Sequence, residues 1–191
     1  MPLGTMSAVI LIIALLSGLM PETQEKLKTG KYPILAALIL APVLRMAGIE
    51  LSREVELNAG CLFIAAVAGW AAARANGRRT LLAAALASAA AIPAFAAETY
   101  LKGDAAVLAA SLAALPLLPL IRSLPHSVFA AVVIPIFVSI FRWLFAALSG
   151  YGVLELTGAD FDAQLTGLLF SVFTLELRRW NRSSAAAEST Q

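Results

Sequence analysis

Seven apolar runs separated by short polar stretches organise the chain: Leu3 to Met20, Tyr32 to Ile49, Leu57 to Ala73, Thr80 to Ala97, Ala105 to Ile121, Ser127 to Leu148 and Leu165 to Leu177. A helix needs about 20 apolar residues to cross a hydrocarbon core of about 30 Å. The first six runs approach that length, whereas the seventh is short and needs independent support. The pattern predicts an all-α fold, a polytopic transmembrane helix bundle of about seven spans. A single domain over residues 1–182 accommodates them, and the Ser- and Ala-rich stretch 183–191 reads as a disordered cytoplasmic tail.

The first run could pass for a signal peptide, but no basic segment precedes it and no small-x-small cleavage site ends it. Lys26, Lys28 and Lys31 follow it instead, so a retained span is expected. The fourth run is mostly alanine. Small side chains let backbones approach closely, which places it at the centre of the bundle. Pro93, Pro116, Pro119 and Pro135 fall inside runs four, five and six, where neighbouring helices can satisfy the backbone groups they free.

Composition sharpens this reading. Hydrophobic residues make up 60% of the chain and charged residues 14%, outside the usual range for a soluble domain. With seven spans, ten of the fourteen basic residues share one face: Lys26, Lys28, Lys31, Arg74, Arg78, Arg79, Arg122, Arg178, Arg179 and Arg182. The other face holds Arg45, Arg53 and Lys102, together with eight of the twelve acidic residues. Because basic residues collect on the cytoplasmic side, the N-terminus is expected outside and the C-terminus inside. Tyr32, Trp70 and Trp180 then lie near inner ends of the runs, and Tyr100, Trp143 and Tyr151 near outer ends, where amphipathic rings are favoured.

Chemistry is sought among charges that a bilayer makes costly. Arg142 stands about six residues inside the outer end of run six, on a stripe with Pro135, Ser139, Ala146 and Ser149. It is the candidate functional intramembrane charge, with Glu98, Glu155, Asp160 and Asp162 as candidate counter-charges. The simpler role is a structural ion pair or a snorkelling side chain. Glu176 is expected to pair with Arg179 one turn later, Arg45 with Glu50 or a lipid headgroup, and the D-x-D pair Asp160 and Asp162 to cap the last helix rather than to hold a divalent cation.

Catalytic chemistry finds little footing. His126, the one histidine, follows Pro125 at a helix start, and Ser123 and Ser127 lack a G-x-S-x-G setting. One His and one Cys make no conventional zinc site, and Cys61 reads as a buried helix residue. Phosphate-binding glycine loops and a basic nucleic-acid face are absent, so neither a cofactor nor a nucleic acid is expected. Pro33 and Pro42 have rough counterparts in Pro125 and Pro135, similar to the parallel repeats of SWEET sugar transporters, but the spacing differs by one residue and no proline-glutamine pair is present.

The stretch Leu57-Asn58-Ala59-Gly60-Cys61-Leu62-Phe63-Ile64 running to Gly69-Trp70, with Gly158-Ala159-Asp160-Phe161-Asp162 before a last short span, resembles the YphA family of small bacterial membrane proteins. That resemblance implies a bacterial cytoplasmic (inner) membrane and carries over no site residues. The expected role is that of a non-catalytic membrane component or accessory subunit. Its partners would be the lipid bilayer and another membrane protein or a second copy of the chain. The alternative is a small permease that uses Arg142 to bind a polar or anionic solute.

Overall fold

A computed structural model of the chain describes residues 2–20, 23, 31–52, 54–121, 123–150 and 152–188. The fold is mostly helical, with a small sheet at one end. Its elements are α1 (Leu3–Leu16), α2 (Lys31–Leu44), β1 (Gly48–Ser52), β2 (Val55–Asn58), α3 (Ala59–Glu98), α4 (Asp104–Leu112), a 3₁₀ turn (Leu115–Leu117), α5 (Leu118–Ile121), α6 (Leu124–Leu148), β3 (Leu154–Glu155) and α7 (Gly158–Glu188). Three helical stretches are long and apolar enough to cross a membrane: Ala59–Glu98, Asp104–Ile121 and Leu124–Leu148. The helices α1 and α2 are shorter, with 14 residues each.

Ala59–Glu98 is not one straight rod. Asn76 adopts an extended conformation (φ −169°, ψ 107°), and its Oδ1 accepts the backbone N–H of Arg79, so it caps a second helical half. The two outer ends show where the halves go. Cys61 at the start lies beside the Thr157 carbonyl, and Glu98 at the finish pairs with Arg142, which also faces Asp160. A straight 40-residue helix would be about 60 Å long, so both ends can meet residues 157–160 only if the chain folds back at Asn76. The gap between runs three and four, which holds Arg74, Arg78 and Arg79, stands at this hairpin turn.

With that hairpin, the described helices alternate between two ends of the bundle. Gly4, Arg45, Asn58, Glu98, Asp104, Arg142 and Thr157 mark the sheet end; Thr23, Asn76, His126 and Glu176 mark the opposite end. The core lies along α6 and α7. Ala83, Ala87, Ala91 and Ala94 form one buried stripe of α3, and Ala87, Ala91 and Ala94 pack on Ala130, Ala131, Ile134 and Val138 of α6. The opposite face of the alanine-rich half, with Leu81, Leu82 and Ile92, is exposed. This half is therefore peripheral, correcting the expectation of a central helix: its alanines permit one close contact and are too few and too small to be encased on every side.

Several boundaries also shift. α2 stops at Leu44, and β1 (Gly48–Ser52) pairs antiparallel with β2 (Val55–Asn58), with β3 added parallel to β2. The alternation Ile49-Glu50-Leu51 and Val55-Glu56-Leu57 is the period of a strand, which the run-length reading passed over. α7 begins at Gly158 and continues to Glu188, so the last helix is far longer than the apolar run 165–177 and extends into the stretch read as a disordered tail. Ala185 to Ala187 are strong helix formers and prolong it.

α1 ends in a Schellman motif. Gly18 takes φ +72°, the Leu19 N–H donates to the Ala14 carbonyl and the Gly18 N–H to Leu15.

Candidate functional site

Charge concentrates at the sheet end. Arg142 Nη2 lies 3.0 Å from Glu98 Oε2 and 3.6 Å from Asp160 Oδ1, so one guanidinium bridges α3, α6 and α7. Pro135 and Ser139 on its stripe are buried, and Arg142 itself is 43% exposed. Two of the four proposed counter-charges, Glu98 and Asp160, are thus brought to it. Arg45 pairs with Asp162 at 3.0 Å rather than with Glu50, which lies in the sheet opposite Glu56. The strand excursion after residue 47 carries Glu50 away and leaves α7 as the neighbour of Arg45. Burial pushes the Asp162 carboxyl above the usual carboxylate range, and Arg45 opposes that shift.

Asp160 does cap α7. Its Oδ2 accepts the backbone N–H and hydroxyl of Thr157, while Thr157 Oγ1 accepts the N–H groups of Ala159 and Asp160. This reciprocal arrangement satisfies several free donors of the first turn. The D-x-D pair is therefore divided: one carboxylate caps and meets Arg142, the other meets Arg45. Among the described residues, no group of three or more His, Cys, Asp or Glu is arranged so that it could hold a metal ion.

At the opposite end, His126 is buried and held on both ring nitrogens. Nδ1 is 2.9 Å from Ser123 Oγ, and Nε2 is 3.0 Å from the Asn76 carbonyl. A carbonyl only accepts, so Nε2 carries the proton and the imidazole ties the α3 hairpin to the start of α6. Glu176 accepts two hydrogen bonds from Thr23, from its N–H at 3.0 Å and its hydroxyl at 2.8 Å, linking the chain after α1 to α7. Thr23 thus serves Glu176 in a role that spacing along one helix had assigned to Arg179.

Gln164 is a site residue that sequence reasoning missed. It is fully buried, and its Nε2 donates to the Val132 carbonyl at 3.0 Å. Pro135 lacks the N–H that would serve the Ala131 carbonyl, so the α6 ladder is interrupted at this level. Gly167 brings α7 within contact of Ala131 there. A lone amide inside the apolar stretch 163–173 was the available signal. Ser7 and Thr166 add a buried hydroxyl pair at 3.1 Å between α1 and α7.

Gln164 and the Ser7–Thr166 pair thus join one helix to another. One cavity, by contrast, is apolar, about 170 Å³, and lined from α1, α2, the first half of α3, α6 and α7. Comparison with models of known families, with curated proteins and with solved structures gives no match for this chain.

Proposed function

We propose that the chain is a multi-pass protein of a bacterial cytoplasmic membrane, crossing about seven times with its N-terminus outside and C-terminus inside, and that it serves as a non-catalytic membrane component. The observation that carries the functional part is the neutralisation of Arg142 by Glu98 and Asp160. A guanidinium already bridging two carboxylates is a clamp between helices; binding an anion there would require breaking those bonds.

The seven-pass arrangement rests on the alternation of the rods between two ends and on the charge asymmetry. Among the described residues, the end holding Asn76 and Glu176 carries Arg74, Arg78, Arg79, Arg178 and Arg179, which supports the assignment of basic residues to one face. Exposed Tyr32, Trp70, Tyr100 and Trp180 fall near rod ends, where membrane interfaces favour such rings. At about 21 Å each, α1 and α2 are short for the bilayer core, a mismatch that local thinning and flanking residues accommodate. The YphA-like reading is compatible with this arrangement and belongs to the proposal.

The competing reading is a permease in which Arg142 binds a polar or anionic solute. Purified protein in liposomes should accumulate no more of a panel of small organic anions than empty liposomes do. In the same preparations, Arg142→Gln should lower the thermal midpoint in detergent, and Glu98→Gln with Asp160→Asn added should recover part of it. Saturable uptake lost in Arg142→Ala and kept in Arg142→Lys would replace the clamp with transport.

A further inference from the structure

The apolar cavity is open on one side. Its floor is buried Leu11, Leu15, Ile64 and Val172, whereas Pro33, Val67 and Trp70 at its rim are exposed. The opening therefore faces sideways between α2 and the first half of α3. A volume of about 170 Å³ is more than tenfold what one water needs, about 10–15 Å³. Among the described lining residues, only Thr23 and the Trp70 indole carry a polar side-chain group, so water entering would find few partners. Hydrocarbon meets no such penalty.

Charge at the rim says which hydrocarbon. Trp70 lines the opening and is 54% exposed, and Arg74, one turn further along α3, holds its guanidinium carbon 5.3 Å from the Trp70 ring centroid. This end of the bundle also carries exposed Arg78 and Arg79, beside the Asn76 turn. Glu176, an acid on the same side, is engaged by Thr23. A basic rim over an apolar slot matches a molecule with a fatty chain and a negative head.

We propose that this cleft seats one acyl chain of an anionic phospholipid, with the phosphate on Arg74 beside Trp70. The inference rests on the membrane reading above. One basic side chain at a membrane surface is worth about fivefold in affinity, which sets the expected headgroup preference.

A single-tryptophan chain (Trp143→Phe, Trp180→Phe) in phosphatidylcholine nanodiscs reports on the cleft through Trp70 fluorescence. It is titrated with phosphatidylglycerol or phosphatidylcholine carrying brominated chains, which quench on contact. Quenching should saturate, at about fivefold lower mole fraction for phosphatidylglycerol. Arg74→Gln should remove the preference between headgroups, and Ala37→Leu, which narrows the slot, should weaken both lipids. Quenching that grows linearly, alike for both headgroups and unchanged in the two variants, means only shell lipid touches Trp70 and overturns the seat. Protein that fails to enter the discs at all overturns the membrane reading itself.

Discussion

At Gly60 the first turn of α3 comes against the end of α2 so closely that a Cβ would fall 2.9 Å from both the Ala41 carbonyl oxygen and the Arg45 nitrogen. Both are backbone atoms and cannot swing aside, so Gly60→Ala should cost about 1–3 kcal/mol, the usual range for overpacking. Gly77, at the hairpin, has nothing within 4 Å of its built Cβ. Alanine there sheds the entropy cost of glycine in a helix, so Gly77→Ala should be neutral or stabilising by about 0.5–1 kcal/mol. Thermal midpoints of the two variants in one detergent check this; equal midpoints would mean that α2 and α3 do not meet at Gly60. Residue identity made some of this legible. Arg142 stood out as the costly charge, and Asp160 as a cap, because both follow from local spacing. The partner of Arg45 did not, since Asp162 is 117 positions away and only the packed bundle brings the two together.

At the scale of elements, apolar length marked where helices lie and said little about how they end. The hinge at Asn76 is a backbone event with a side-chain signature: an Asn three residues before the N–H it caps, in a short polar cluster. Asn76→Ala removes that cap and should cost about 1 kcal/mol, while Asn76→Asp, which can still accept from Arg79, should cost little. Denaturation in mixed micelles compares the two; similar losses would show that the Oδ1 bond contributes nothing and that His126 alone holds the turn. The β1–β2 pair was legible in principle, because its residues alternate, but a scan for long apolar runs discards a five-residue strand with two polar positions. Gln164 was illegible for another reason. Its partner is a carbonyl of α6 at a level where Pro135 disturbs the ladder, so its role exists only once α6 and α7 are side by side.

For the molecule as a whole, the proposed seven crossings and the ten basic residues that the sequence assigns to one face make one joint prediction about topology. In a Cys61→Ala background, single cysteines at exposed Arg79, Lys102 and Ser184 place one reporter at the hairpin end, one at the sheet end and one beyond α7. A thiol reagent that cannot cross membranes, applied to intact cells, should label position 102 alone, because one rod separates 79 from 102 and three separate 102 from 184. Labelling of 102 and 184 together would remove the crossing by α7 and return Arg178, Arg179 and Arg182 to the outer face, against the tendency of basic residues to stay inside. Labelling of 79 together with 102 would instead show that the second half of α3 does not cross by itself. Its exposed Leu81, Leu82 and Ile92 would then need a protein partner in place of lipid, since water would not tolerate that face.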